Sequence, residues 1–283
     1  MKRTIALLLA ALALVVTSAT ARNARAFEEF QLWPALAPGE PEDAVKPTYE
    51  YWKPAEKTTD ACLIVAPGGA YNGLAYGHEG DLIAKYFTSK GVTVVVLKYR
   101  VPRRKGLPKH MAAWQDAQRM VRVVRSRAKE WDINPDKIGF LGFSAGGHLT
   151  LMTATTSQTP AYEPIDDIDK IPCNVNFAVP VYPAYVLKDG RDGGNAGKGN
   201  DSTMVDDFAF DEKTPPMCLI HGDADYVSPM GSVAVYSKLR KMNIPAEMHI
   251  FAKVEHGFGG NPKDNHVGNW LDRVYYWMVK LGF

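Results

Sequence analysis

The sequence predicts an α/β fold: a mostly parallel central sheet with helices on both faces. Three observations carry that prediction. Apolar strand-like runs and helix-periodic segments take turns along the 283 residues, as they do in repeated strand–helix–strand units. Val92-Thr-Val-Val-Val-Leu97 is a nearly unbroken β-branched run, which suits a strand buried on both faces. Between Lys137 and Leu149 an apolar strand runs into Gly142-Phe-Ser-Ala-Gly146, and a helix-forming segment follows. A strand turning that sharply into a helix projects the corner serine outward.

Residues 1–26 stand apart from this pattern. Lys2 and Arg3 precede a short apolar stretch from Ile5 to Val16, and Ala24-Arg-Ala26 offers small residues around a cleavage point before Phe27. The segment reads as an export signal rather than a comfortable membrane span, with an uncleaved N-terminal anchor as the alternative. It carries four cations and no acid, so its removal takes the formal charge from +2 to −2. The apparent basicity belongs to the export signal, and nothing in the remaining charge favours a nucleic-acid partner. Residues 27–283 are then expected to form a single domain, long enough to bury a sizeable core.

In chain order, a Pro-rich stretch from Trp33 to Gly39 is expected to lie extended over the domain surface. Alternation at Thr48-Tyr-Glu-Tyr-Trp52 and the apolar run from Ala61 to Ala66 are read as strands, and Glu79–Lys90 as a helix. Apolar residues at 113, 117, 120, 124, 128 and 131 keep helical spacing from Lys109 to Trp131. The arginines at 119, 122, 125 and 127 are read as a solvated face of that helix. Further strands are expected at Val175–Tyr182, Met217–His221 and Ala246–Phe251, and a closing helix near Trp270–Leu281. Residues 188–214, with Gly190-Arg-Asp-Gly-Gly-Asn-Ala-Gly-Lys-Gly-Asn-Asp201, carry too little apolar content to order themselves. They are expected to form a loop or a small cap at the site mouth. Cys62 and Cys218 fall in apolar runs and, with Cys173, are expected as thiols. No C-x-x-C or H-E-x-x-H suggests a zinc site, and no metal or organic cofactor is expected.

The chemistry centres on Ser144. Only small residues fit two positions before and after such a serine, and Gly142 and Gly146 meet that need. A serine hydroxyl needs a base steered by a carboxylate, and in this topology acid and histidine follow the serine, each on a loop after a strand. His256 follows the strand at 246–251, whereas the other six histidines lack that setting or sit inside elements. Asp223 and Asp225 both follow the strand at 217–221; Asp225, deeper in its loop, is better placed to reach across. An oxyanion hole needs two converging backbone amides. Ala145 supplies one, and Gly69 or Ala70 in Pro67-Gly-Gly-Ala-Tyr71 the other. Glu79 could brace that loop or touch a substrate hydroxyl, but a carboxylate near a helix start is its default reading. Tyr71 suits either a substrate pocket or the core.

These motifs, together with His78-Glu-Gly80, Tyr99-Arg100, His-Gly-Asp-Ala-Asp225 and His-Gly-Phe258, resemble the secreted bacterial acetylxylan-esterase-like branch of the α/β-hydrolases. That branch is akin to the hormone-sensitive-lipase and dienelactone-hydrolase groups. The resemblance runs from about residue 30 to the C-terminus. It implies an α/β-hydrolase fold with little or no cap, Ser144, Asp225 and His256 as a triad, and hydrolysis of short acyl esters, often acetyl groups on plant-type polysaccharides. An acylated carbohydrate or other small ester is the partner it implies. A peptidase or amidase on the same triad and a non-catalytic sugar-binding relative are the rival readings. The chain departs from the pattern at Ala70, where relatives often carry a third glycine; the backbone N–H survives the change.

Overall fold

The computed structural model describes residues 26–188, 203–261 and 266–283. All of the expected export signal but Ala26, and the Gly-rich stretch at 190–201, fall outside the described residues.

Eight strands form one sheet in the order β1-β2-β4-β3-β5-β6-β7-β8. They are β1 (Glu28–Gln31), β2 (Thr48–Trp52), β3 (Cys62–Ala66), β4 (Thr93–Lys98), β5 (Ile138–Phe143), β6 (Phe177–Val181), β7 (Met217–Gly222) and β8 (Ala246–Phe251). The β1–β2 and β2–β4 pairs are antiparallel and every other pair is parallel. This is the α/β-hydrolase arrangement expected from the sequence. The helices are α1 (Leu82–Ser89), α2 (Met111–Ser126), α3 (Ala128–Trp131), α4 (Ala145–Thr155), α5 (Met230–Lys241) and α6 (Trp270–Lys280).

Strand periodicity divides the core in two. On β3, Cys62, Ile64 and Ala66 pack with α2, α4 and α5, while Leu63 and Val65 point to the other face and pack with α1 and α6. All eleven residues of α4 are buried. Its threonines satisfy their hydroxyls by donating to carbonyls four residues back: Thr150 to Gly146, Thr153 to Leu149 and Thr155 to Leu151. The three cysteines are buried free thiols.

Two expectations are overturned. Trp33 does not lie over the surface: it is fully buried, meets Tyr162 edge-on, and donates its indole N–H to Asp116 at 2.7 Å. The α2 arginines are not a solvated face. Arg119 is buried against Asp166 and Asp169 at 2.6 and 2.9 Å. Arg122 donates to Tyr162 and the Ile171 carbonyl, and Arg125 to the Asn174 carbonyl. Long side chains with apolar stems and multiple donors can be buried when the loop opposite supplies the acceptors, and the segment at 162–174 does so. The polar four-residue β1 carries no periodic signal in the sequence and is set by pairing with β2.

Candidate active site

The parallel strands deliver their C-terminal ends to one edge of the sheet, and the candidate residues lie on the loops that follow them or in the first helical turns beyond. After β5 the chain turns through Ser144, whose φ of 52° and ψ of −113° lie in strained territory for a non-glycine residue. The turn is held by Ser144 N–H donating to the Val181 carbonyl and Ala184 N–H donating to the Ser144 carbonyl, both at 3.0 Å. A Cβ on Gly142 would lie 2.2 Å from the Gly146 carbonyl oxygen, and one on Gly146 would lie 2.1 Å from that of Ala66. No side chain fits at either place.

His256, on the loop after β8, places Nε2 2.9 Å from Ser144 Oγ and Nδ1 2.7 Å from Asp225 Oδ2. A carboxylate only accepts, so Nδ1 carries the proton and Nε2 is left to accept from the serine. Asp225 is buried, and its Oδ1 accepts the Val227 N–H at 2.6 Å. Burial pushes its carboxyl up, but the hydrogen bond from His256 and the nearby His221 and His256 rings outweigh burial and leave it below the ordinary carboxylate range. Asp223, the other candidate, is exposed; its N–H is tied to the Phe251 carbonyl. His221, a residue the sequence reading passed over, lies 3.5 Å from Asp225 and is held by Ser232 and the Val227 carbonyl.

The loop after β3 lies against the serine: a Cβ on Gly68 would come within 3.0 Å of Ser144 Cβ. Among the described residues, no hydrogen bond employs the amides of Gly69, Ala70 or Ala145. Ala145 opens α4, where the first N–H groups lack intrahelical partners and carry the positive end of the helix dipole. Ala70 has φ 54°. This is a left-handed conformation, which costs alanine about 1–2 kcal/mol.

Glu79 and Tyr71 sit differently from what a substrate contact requires. Glu79 is 3% exposed and both carboxylate oxygens are engaged: Oε2 accepts the Gly68 N–H at 2.7 Å and Oε1 the Tyr182 hydroxyl at 2.8 Å. It braces the loop instead of reaching a substrate hydroxyl, and it is buried, unlike an ordinary carboxylate at a helix start. Tyr182 also accepts the Gly259 N–H at 3.0 Å, and its ring packs 4.7 Å from that of His256. Burial, with the Glu79 carboxylate beside it, holds the Tyr182 phenol far above its ordinary range, so it stays a neutral donor. A single network thus ties the Gly68 loop to the His256 loop. Tyr71 is buried and hydrogen-bonds His148 Nδ1 at 2.9 Å, which makes it core.

His148 and His110 are both buried. Burial first, then His110 and Lys109 beside it, pushes His148 far below the ordinary histidine range, and burial pushes His110 below it despite the nearby Asp207 carboxylate. Both are neutral when folded, whereas the unfolded chain takes up protons below about pH 6.5. Their stabilising contribution is therefore complete above that pH and declines as pH falls. Denaturant unfolding should show stability falling by at least about 1 kcal/mol between about pH 7 and about pH 5.5. A flat profile would mean that the folded rings accept protons.

Known proteins resemble this chain in sequence and in fold. Residues 50–202 match the BD-FAE family model, and residues 188–282 match that of the prolyl oligopeptidase family. The acetylxylan esterase of Xylanibacter ruminicola is 27% identical over 77% of this chain and 47% of its own length. Endo-1,4-beta-xylanase B of Butyrivibrio fibrisolvens is 28% identical over 69% of this chain and 32% of its own. This chain thus spans less than half the length of these curated relatives. The crystal structure of an acetyl ester-xyloside bifunctional hydrolase from Caldicellulosiruptor lactoaceticus superposes with a TM-score of 0.72, at 28% identity over 90% of this chain and 97% of that one. The BD-FAE match covers more than half of the chain and includes both the serine turn and the Gly68–Tyr71 loop. On that ground the chain, with its α/β-hydrolase fold, belongs to the BD-FAE family.

Proposed function

We propose that the protein is an exported serine ester hydrolase that removes short acyl groups, acetyl above all, from xylan-type polysaccharides through an acyl-enzyme. The observation that carries this reading is the unbroken hydrogen-bonded chain Ser144–His256–Asp225, with the unengaged amides of Ala145, Gly69 and Ala70 on neighbouring segments. His256 takes the Ser144 proton as Oγ attacks the ester carbonyl, and Asp225 keeps the imidazole in the accepting tautomer. The amides of Ala145 and of Gly69 or Ala70 receive the oxyanion; each such donor contributes about 3–4 kcal/mol to lowering the barrier. His256 then protonates the departing alcohol, and water repeats the sequence on the acyl-serine. Residues 27–283 act as one catalytic domain in this reading, with 1–26 as the export signal. Among the described residues, no helix is long and apolar enough to cross a membrane. The relatives named for acetylxylan and xylan support the substrate class.

The test is to quench a reaction with excess p-nitrophenyl acetate in acid and map the protein by mass spectrometry. One acetyl group on the peptide containing Ser144 is expected; hydrolysis without it would remove the acyl-enzyme. The match of residues 188–282 to the prolyl oligopeptidase family favours one rival, an amidase on the same groups. Cleavage of p-nitroanilides at rates comparable to the ester would favour that rival.

Glu79 acts as a positioning residue here. Glu79→Gln weakens its charge-assisted bonds, worth about 2 kcal/mol, so melting should fall by about 4–8 °C. Turnover should drop about tenfold with little change in KM. An unchanged kcat with the same loss of melting temperature would make Glu79 purely structural.

A further inference from the structure

A groove of about 510 Å³ opens beside the Gly68–Tyr71 loop, lined by Asn72, Arg103, Arg104, Lys105 and Lys109 together with Gly106 and Leu107. Its size falls in the range of small-molecule sites. Four of its seven lining residues are cationic and none is acidic. Arg104 is neutralised by Glu40, which it meets at 2.7 Å. Arg103 and Lys105 are exposed and, among the described residues, form no ion pair. This concentration of positive charge contrasts with the net negative charge of the chain from Phe27 onward.

The groove is joined to the candidate site at two points. Asn72 follows Ala70 by two residues, so their Cα atoms lie within about 7.6 Å, and its N–H donates to the Gly69 carbonyl at 2.9 Å. Arg103 N–H donates to the Tyr71 carbonyl at 2.6 Å. On the other side, Lys109 Nζ sits 4.1 Å from the centre of the Tyr185 ring, next in sequence to Ala184, whose N–H holds the Ser144 carbonyl.

We propose that this groove is an anion subsite that selects ester substrates whose sugar chain carries a carboxylate, a uronic-acid unit near the acylated sugar. Guanidinium groups pair with carboxylates through two parallel hydrogen bonds, and two cations such as Arg103 and Lys105, without an ion pair at a concave mouth, raise the local concentration of anionic substrate. The patch is too small to follow a nucleic-acid backbone. The proposal rests on the ester-hydrolase reading and adds the substrate class to it.

The test compares kcat/KM on two acetylated xylo-oligosaccharides at low salt, one neutral and one bearing a uronic-acid branch, with p-nitrophenyl acetate and mono-p-nitrophenyl succinate beside them. The uronate-bearing substrate should be preferred about five- to tenfold, and the preference should shrink as salt is raised. In the double variant Arg103→Glu, Lys105→Glu the preference should fall to about one or invert, with melting unchanged to show that the fold survives. Equal rates on the two oligosaccharides, or a preference that survives charge reversal, would overturn the subsite. Preference for the succinyl ester alone would place the anion on the acyl side and overturn the uronate assignment. Failure to hydrolyse any of the four esters would instead remove the ester-hydrolase reading itself.

Discussion

Replacing Ser144 by alanine is expected to lower kcat on p-nitrophenyl acetate by about 10⁶, the scale at which losing the nucleophile of a serine–histidine pair disables the whole group. The fold should persist, for reasons local to the turn. The φ of 52° at position 144 strains alanine no more than serine, and the two backbone bonds that hold the corner, to Val181 and Ala184, do not involve the side chain. The variant loses one hydrogen bond, from Oγ to His256 Nε2. Its melting temperature should therefore stay within about 4 °C of the parent. Slow residual hydrolysis should remain, because the amides of Gly69, Ala70 and Ala145 are untouched. Turnover within tenfold of the parent, measured on protein free of contaminating esterase, would sink the nucleophile assignment.

Much of this site was legible because its constraints are local in sequence. A strand, a turn with glycines flanking a serine, and a helix are contiguous, and the reason for the small residues is the contact of Gly142 with Gly146 and of Gly146 with Ala66. The place of His256 after β8 follows from topology once the strands are counted. Ala70 shows a subtler form of legibility: the missing third glycine was visible as a departure, and its meaning, a left-handed backbone, came only with the φ angle.

The residues that escaped are those whose partners lie far away in sequence. Glu79 reads as an ordinary helix-start carboxylate because nothing nearby announces Tyr182, 103 positions on, or explains why Gly68 needs an acceptor. Arg119 keeps company with polar neighbours on a helix, and its burial depends on Asp166 and Asp169 folding back over it. Trp33 enters the core because Asp116 waits there for its N–H. Periodicity reports which face of an element is apolar; it does not report which charges have found a partner. In each of these cases the missing information is a tertiary hydrogen bond. The cluster of acids at 166, 167 and 169 opposite arginines spaced three apart was the one available hint.

The same attention to individual oxygens predicts the outcome at Asp225. Its two carboxylate oxygens have separate duties: Oδ1 accepts from the Val227 N–H and Oδ2 from His256 Nδ1. Asp225→Asn leaves one oxygen and one NH2 group for two donors. If the amide oxygen stays with the fixed backbone N–H of Val227, the NH2 group faces Nδ1 and turns it into an acceptor. The imidazole proton then moves to Nε2, which can no longer accept from Ser144 Oγ. The reverse placement puts NH2 against a backbone N–H, two donors in a buried site. The first arrangement costs less, so the variant should fold with the wrong tautomer and lose about 10⁴ in kcat, the scale found when a triad acid becomes its amide elsewhere. Asp223→Asn is the matched control. Its side chain is exposed and only its backbone N–H is used, so turnover should stay within about twofold. The two variants together decide between the aspartates by rate, and nitrogen chemical shifts of the His256 ring decide the cause. A proton found on Nδ1 in Asp225→Asn, with turnover still down, would reject the tautomer account and leave lost charge stabilisation of the imidazolium as the reason.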